Sequence, residues 1–411
     1  MTPEMNKTLT SVGKGSPMGE LLRRYWHPVG LSSEFKKETI KKVKLLGEEL
    51  VLFRDKSGTL GLVDKRCAHR GASLEHGIIT QVGIRCAYHG WQYDANGKCI
   101  DRPNEPAPDA VKSRICIKSY PLTEKGEMIF AYLGPVPAPE FPMFDLYKAG
   151  NVLKTIGYAA IPVNWLQIME NSLDPVHVEW LHGHFYTQHK GQSEPPFDTF
   201  AKHHIKIDFE EFEYGIIKKR LLEGQVEEES TDWTTGHPMI FPNMLLVGDT
   251  RVNQFQIRVP MDDTTTMHYW YNCFHPAEGL QIPENYPTTS YEVPIRDEQL
   301  GYIKDYVDGQ DIMMWESQGE INDRSLEHLG SSDRGIVKYR RMLTREMEKV
   351  SKGQDPICVF RATVPIVLPV EDSRHGLKAG AFLKHTHSRD YRFSPNIEEI
   401  VRIVSGNSVE K

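Results

Sequence analysis

The chain is short of cysteine, of long apolar runs and of basic blocks, and each shortage removes a class of protein. Six cysteines in 411 residues, at positions 67, 86, 99, 116, 273 and 358, do not make a disulfide framework. That usage suits a reducing compartment, so a cytoplasmic location is expected. No apolar run reaches the length that spans a bilayer, so no membrane partner is expected. A formal net charge of −7 without a cluster of lysine and arginine argues against nucleic acid as a partner. The N-terminal residues Pro3, Glu4 and Asn6 lack the charged and apolar regions of a secretion signal. No internal repeat is visible. At this length one core is too few, and two or three domains are expected.

What the chain does have is Cys67-Ala68-His69 and, sixteen residues on, Cys86-Ala87-Tyr88-His89. Structural zinc sites space their ligands as Cys-x2–4-Cys or His-x3–5-His, and a single residue between Cys67 and His69 does not fit. Two loops that each give one thiolate and one imidazole suit a [2Fe–2S] cluster held asymmetrically. Cysteines bind one iron and histidines the other, which is a Rieske centre. Neutral imidazoles in place of thiolates raise its potential above that of an all-cysteine cluster. Neither loop carries the extra cysteine of the respiratory Rieske proteins. Gly71 and Gly90 follow the ligands and let the backbone approach a buried inorganic core.

Around this motif the chain reads as short strands, at Val43–Leu46, Glu49–Phe53, Leu60–Val63 and Met128–Leu133. The proline-rich run 134–139 reads as a boundary. Beyond it, Val163–Leu173 has helical period, 204–274 alternates as antiparallel strands, and helical period returns over 298–318 and 336–350. One strand puts Met267, Tyr269, Tyr271 and Cys273 on a common face. The expected class is α+β: a small all-β Rieske domain over 41–140, and an antiparallel sheet with helices over 141–411. Residues 1–40 are expected to pack on the latter. The polar stretch Gly183–Thr199 reads as a long loop over a pocket.

A second metal site is suggested by Asp174-Pro175-Val176-His177 and His182. Asp174 before Pro175 is an N-cap signal with proline at the first helical position. His177 and His182 lie five apart, about 140° around a regular α-helix. A local bulge is needed to bring the rings together. His184 has better register with His177 but lies roughly 10 Å along the axis. Two imidazoles and a carboxylate make the facial triad that holds Fe(II) with open positions. Asp311, placed where a new helix could begin, is the candidate carboxylate. Asp305, Asp308 and Glu316 compete with it on composition, and a helix-capping role is the plain alternative for Asp311. His203, His204 and His237 have no partner pattern.

Together these residues resemble the Rieske non-haem iron aromatic-ring-hydroxylating oxygenases, in the branch of the phthalate dioxygenases and aryl-ether-cleaving enzymes. Cys67-x-His69 with Cys86-x-x-His89 is similar to the family's cluster motif, and Asp174-x-x-His177-x4-His182 to its iron motif. Asp311, four residues before Trp315, falls where the family keeps its carboxylate ligand. The segments 12–26 and 323–330 are also similar, so the likeness covers nearly the whole chain. It implies a helix-grip catalytic domain, a Rieske cluster and a mononuclear Fe(II). It implies a separate flavin and iron–sulfur reductase that delivers electrons from NAD(P)H, and a small aromatic substrate consumed with O2. It implies a homotrimer or stacked hexamer in which Asp174 links a cluster histidine of one chain to His177 of its neighbour. The expected reaction is ring dihydroxylation of an aromatic carboxylate or aryl ether, with O- or N-demethylation as the alternative. No arginine falls in 233–243 to clamp a dicarboxylate, a departure from the phthalate pattern. Met239, Phe241 and Trp315 are the expected walls of a pocket for an apolar ring.

Overall fold

A computed structural model of the chain describes all residues except 37–38, 106–113, 191–198, 250, 370–381, 383–385 and 407–411. The backbone divides into two compact units, and the break falls between Phe141 and Pro142. One unit is Val12–Phe141 with Val359–Thr363; the other is Met1–Ser11, Pro142–Cys358 and Val364–Lys411. By this division residues 12–40, expected beside the catalytic domain, group with the smaller unit. The reason is strand pairing: Trp26–Leu31 runs antiparallel to Met128–Tyr132 within the smaller unit. Only the first eleven residues group with the larger unit, tied there by Asn164 Nδ2 donating to the Thr10 carbonyl at 2.9 Å.

The smaller unit is built of short antiparallel strands in three sheets. Ile40–Leu45, Glu48–Arg54 and Leu60–Asp64 form one sheet, close to the bounds read from sequence. A second holds Ile78–Ile79, Ile84–Arg85, Gln92–Tyr93 and Cys99–Asp101, and the two motif loops border it. Val51, Phe53, Val63, Leu74, Ile84 and Tyr93 pack into one core with Cys67 and Cys86.

The larger unit is organised by an eight-stranded sheet. Its strands run in the order His204–Phe212, Gly215–Leu222, His237–Ile240, Met244–Asp249, Val252–Pro260, Thr266–Phe274, Leu153–Ile161, Thr289–Glu292. Every pair is antiparallel except the last. The central strands are buried on both faces, so polarity does not alternate along them. Tyr271 meets Tyr147 on one face, while the neighbouring Trp270 donates to Asp308 at 2.8 Å on the other. The helix Trp165–Ser172 is capped by Asn164, whose Oδ1 accepts the Leu166 N–H. It is buried nearly all round, and its Glu170 receives two guanidiniums, from Arg324 and Arg340.

Two helical readings shift. The second of them, over 336–350, is the helix Arg334–Ser351, whose Ile336, Tyr339, Leu343, Met347 and Val350 form a buried stripe at helical spacing. The first, over 298–318, is helical only at Val307–Ser317. Asp297 explains the delay. Its carboxylate accepts the N–H groups of Gln299 and Gly301, and such side-chain bonds compete with helical ones.

Candidate metal centres and active site

In the smaller unit the two motif loops have one backbone design. The Cys67 N–H donates to the Ala72 carbonyl, and the Gly71 N–H returns to that of Cys67. The Cys86 N–H donates to the Trp91 carbonyl, and the Gly90 N–H returns to that of Cys86. Gly71 and Gly90 take φ +73° and +77°, the left-handed region that glycine enters at no steric cost. The hairpins therefore present Cys67 and Cys86 alike, both buried. The His69 and His89 rings lie 4.5 Å apart, and His69 stacks on Trp91 at 4.7 Å. The Tyr93 hydroxyl accepts the Ala68 N–H at 3.0 Å and lies 3.1 Å from Cys67 Sγ, to which its O–H donates when the sulfur is a thiolate.

The donor set fits a cluster. His69 Nδ1 is buried and makes no hydrogen bond, as a ring nitrogen reserved for a metal would be. Burial pushes the Cys67 thiol up, so a cationic partner is needed to hold it as thiolate.

In the larger unit the bulge required by the five-residue histidine spacing is present. Val178–Phe185 is a π-helix, whose i→i+5 bonds bring His182 round to the side of His177. Gly183 lets residues 200–201 pack against it: a Cβ there would lie 2.7 Å from the Ala201 Cα and the Phe200 carbonyl oxygen. The polar stretch from 183 is thus helical as far as 190, and 191–198 lie outside the described residues. His184 is exposed and packs on Trp180.

Asp311 is not a helix cap. It sits a full turn inside Val307–Ser317, with its carboxylate turned to the histidines. Its Oδ1 lies 3.2 Å from His182 Nε2 and 3.7 Å from His177 Nε2. The competing carboxylates are otherwise engaged. Asp305 pairs with Arg392, Glu316 with Arg296, and Asp308 accepts the Trp270 N–H. Among the described residues His177, His182 and Asp311 form the cluster suited to a metal ion.

Both imidazoles are oriented from behind. His177 Nδ1 meets the Asp174 carbonyl at 2.6 Å, and His182 Nδ1 meets Gln310 Oε1 at 3.0 Å. The Gln310 amide is itself held, its Nε2 donating to the Lys304 carbonyl at 2.8 Å. With Nδ1 protonated in each ring, the Nε2 lone pairs face a carboxylate oxygen that is buried and receives no hydrogen bond. Three lone-pair donors in that arrangement suit a shared cation, and the set of residues fits Fe(II). Burial also pushes the His177 imidazole down to about 4, which keeps it neutral and ligand-competent. Asp174 Oδ1 accepts the Val176 N–H at 2.8 Å, a turn bond ahead of the helix, whose N-cap position is His177 rather than the expected Asp174, while Oδ2 stands 3.7 Å from His177 Nδ1.

The triad opens into a cavity of about 300 Å³. Val178, Phe200, Leu245, Val247 and Val307 give it apolar wall; Lys218, Arg220, Arg258, Asp232 and His237 give it polar wall. This corrects the expected lining. Met239, Phe241 and Trp315 are buried in the packing and do not line the cavity. His203 and His204 bond Glu179 instead.

Residues 25–121 match the Rieske [2Fe-2S] domain, and residues 300–372 match the family described as LigXa C-terminal domain like. The chain is 40% identical to the 5,5'-dehydrodivanillate O-demethylase oxygenase subunit of Sphingobium sp., over 88% of this chain and 84% of that one. The chain belongs to the Rieske non-haem iron aromatic-ring-hydroxylating oxygenases. This oxygenase subunit is also 43% identical to the tert-butanol monooxygenase / tert-amyl alcohol desaturase oxygenase subunit of Aquincola tertiaricarbonis, over 86% of this chain and 78% of that one. It is 29% identical to the phthalate 4,5-dioxygenase oxygenase subunit of Pseudomonas putida, over 89% and 90%. Its fold is similar to that of Pseudomonas putida CBB5 NdmA, with a TM-score of 0.60 at 20% identity, covering 81% of this chain and 93% of that one. The oxygenase is an O2-dependent oxidoreductase with a Rieske [2Fe–2S] cluster and a mononuclear iron. No helix among the described residues is long and apolar enough to cross a membrane.

Proposed function

We propose that Cys67, His69, Cys86 and His89 hold the cluster, that His177, His182 and Asp311 hold ferrous iron, and that the larger unit oxygenates an aromatic compound. The observation that carries this reading is the convergence of two Nε2 lone pairs on a buried carboxylate without a hydrogen-bond donor, at the wall of a cavity. When bound, the cluster passes electrons singly and the ferrous ion activates dioxygen. The chain's own residues do the rest. Gln310 and the Asp174 carbonyl keep the two imidazoles in the ligating tautomer. Phe200, Val178, Leu245, Val247 and Val307 take the ring and exclude water from it. Asp174, whose side chain is 29% exposed, is the bridge to a cluster histidine of a second chain. That role needs a homotrimer, alone or stacked as a hexamer, working in the cytoplasm with a flavin and iron–sulfur reductase.

Ring dihydroxylation is the first reading of the reaction. O-demethylation of a methoxylated aromatic is the second, and the 40% identity to an O-demethylase subunit, against 29% to the phthalate dioxygenase subunit, favours it. Turnover of methoxybenzoates and phenoxybenzoates under labelled O2 separates the two. Two labelled oxygens on the ring mean dihydroxylation, and released formaldehyde means demethylation. Anaerobically purified protein should contain about three irons and two inorganic sulfides per chain. A colourless protein that holds zinc alone would refute the proposal. Sedimentation of the holoprotein at the mass of one chain would refute the trimer.

A further inference from the structure

The cavity wall opposite in chemistry to its apolar side comes from one strand. In Gly215–Leu222, Lys218 and Arg220 share a face because strand side chains alternate, and both line the cavity, while Lys219 between them pairs with Glu210. Lys218 is only 8% exposed. Among the described residues no carboxylate lies within ion-pairing distance of its ammonium, and no hydrogen bond to it is made. Arg220 is different: its Nε stands 3.3 Å from Asp232, which also receives His237 Nε2 at 2.7 Å. Asp232 therefore pairs with Arg220, and Lys218 is left without an ion-pair partner, with Asp174, Asp232 and Asp311 acting on it only at longer range. Burial, with Arg220 beside it, pushes the Lys218 ammonium down to about 8. A buried ammonium without a partner is costly, and a bound anion removes that cost.

The wider balance has the same sign. Four cations line the cavity, Lys218, Arg220, Arg258 and Arg389, against the carboxylates Asp232, Asp308 and Asp311. A ferrous ion would add two further positive charges. The chain as a whole carries −7, so this positive interior is local.

We infer that Lys218, seconded by Arg220, is an anion subsite that takes the carboxylate of an aromatic acid while the apolar wall takes its ring. This deepens the oxygenase reading and rests on it. The single ammonium without an ion-pair partner matches one carboxylate group. Lys218 is thus a specificity-determining residue of the cavity; it is not a metal ligand.

Anaerobic calorimetry of the iron-loaded holoenzyme, with 3-methoxybenzoate and 3-methoxybenzamide as probes, tests this. The two differ in charge and little in shape. The wild type is expected to bind the acid about 10- to 100-fold more tightly than the amide, the range for a charge-assisted bond. Lys218→Met should erase that preference with the amide affinity unchanged, and Lys218→Arg should keep it. Equal binding of acid and amide by the wild type overturns the subsite, even if no variant folds. A Lys218→Met protein that still prefers the acid overturns the role of Lys218. If the wild type shows no acid preference yet oxygenates the amide, the subsite falls and the oxygenase reading stands. If neither probe binds or is oxygenated, the subsite falls together with the methoxylated aromatic acid as substrate.

Discussion

Replacing Gln310 with leucine should weaken iron binding without touching any of the three ligands. Gln310 Oε1 lies 3.0 Å from His182 Nδ1, and its amide cannot flip freely because Nε2 is committed to the Lys304 carbonyl. The bond does two things. It holds the proton on Nδ1, which leaves the Nε2 lone pair facing Asp311, and it stops the ring from rotating away. Leucine fills similar space but accepts no hydrogen bond. The buried Nδ1–H then loses its acceptor, and the proton gains by moving to Nε2, where Asp311 Oδ1 waits 3.2 Å away. The metal must then displace that proton. Loss of such a supporting bond costs about 10- to 100-fold in metal affinity, or about 1.4–2.7 kcal/mol. Anaerobic chelator competition measures it, with the visible absorption of the Rieske cluster and the melting temperature as checks on the fold. Gln310→Glu, which keeps an acceptor, should lose less. If Gln310→Leu folds, keeps its cluster and binds Fe(II) as tightly as the wild type, the orienting role is refuted.

Other substitutions separate the two centres. His177→Ala should keep the cluster's colour and lose all turnover; product formation by that variant would refute the assignment of the iron site. Tyr93→Phe removes the hydroxyl that donates to Cys67 Sγ. One lost hydrogen bond to a ligand sulfur should lower the cluster potential by roughly 20–60 mV, and an unchanged redox titration would refute the bond's influence. Glu170→Gln leaves the Arg324 guanidinium buried without its anion, while Arg340 keeps only Glu327. Denaturant titration should find about 3–5 kcal/mol lost, and a change within error would refute the estimate. The same residue sets an acid limb. Burial alone would raise its carboxyl, but the two guanidiniums win and hold it below the ordinary glutamate value of 4.5. The stability it contributes is therefore complete above that value and is lost as the pH falls through the depressed folded value. Glu170→Gln should flatten the loss of stability with falling pH in that acid range.

The candidate metal-binding residues are legible in the sequence because their constraints are local. A Cys-x-His and a Cys-x-x-His each fit in one hairpin, and the identical backbone bonds of the two loops show how little tertiary context they need. The five-residue gap between His177 and His182 was informative because a regular helix cannot use it, and the π-helix is the resolution. Asp311 was harder. Its distance in sequence from His182 says nothing of contact, and choosing it over Asp305, Asp308 and Glu316 on residue chemistry alone was not possible. Arg392, Trp270 and Arg296 make that choice in the fold by occupying the other three.

The cavity wall was illegible for a different reason. Lys218-Lys219-Arg220 reads as one hydrophilic run, the kind that faces solvent. A period of two splits it, sending Lys219 outward to Glu210 and its neighbours inward. Which of the two sets turns inward depends on strand register, here Lys218 opposite His237, and register comes from partners distant in sequence. The aromatic candidates failed by the converse logic. Met239, Phe241 and Trp315 are large and apolar, and so is the general interior, which claimed them. A binding wall differs from a core in needing polar groups that the protein itself leaves unsatisfied. An unpaired ammonium inside a β-strand is that kind of group. It marks the part of the cavity where this oxygenase distinguishes one aromatic ring from another.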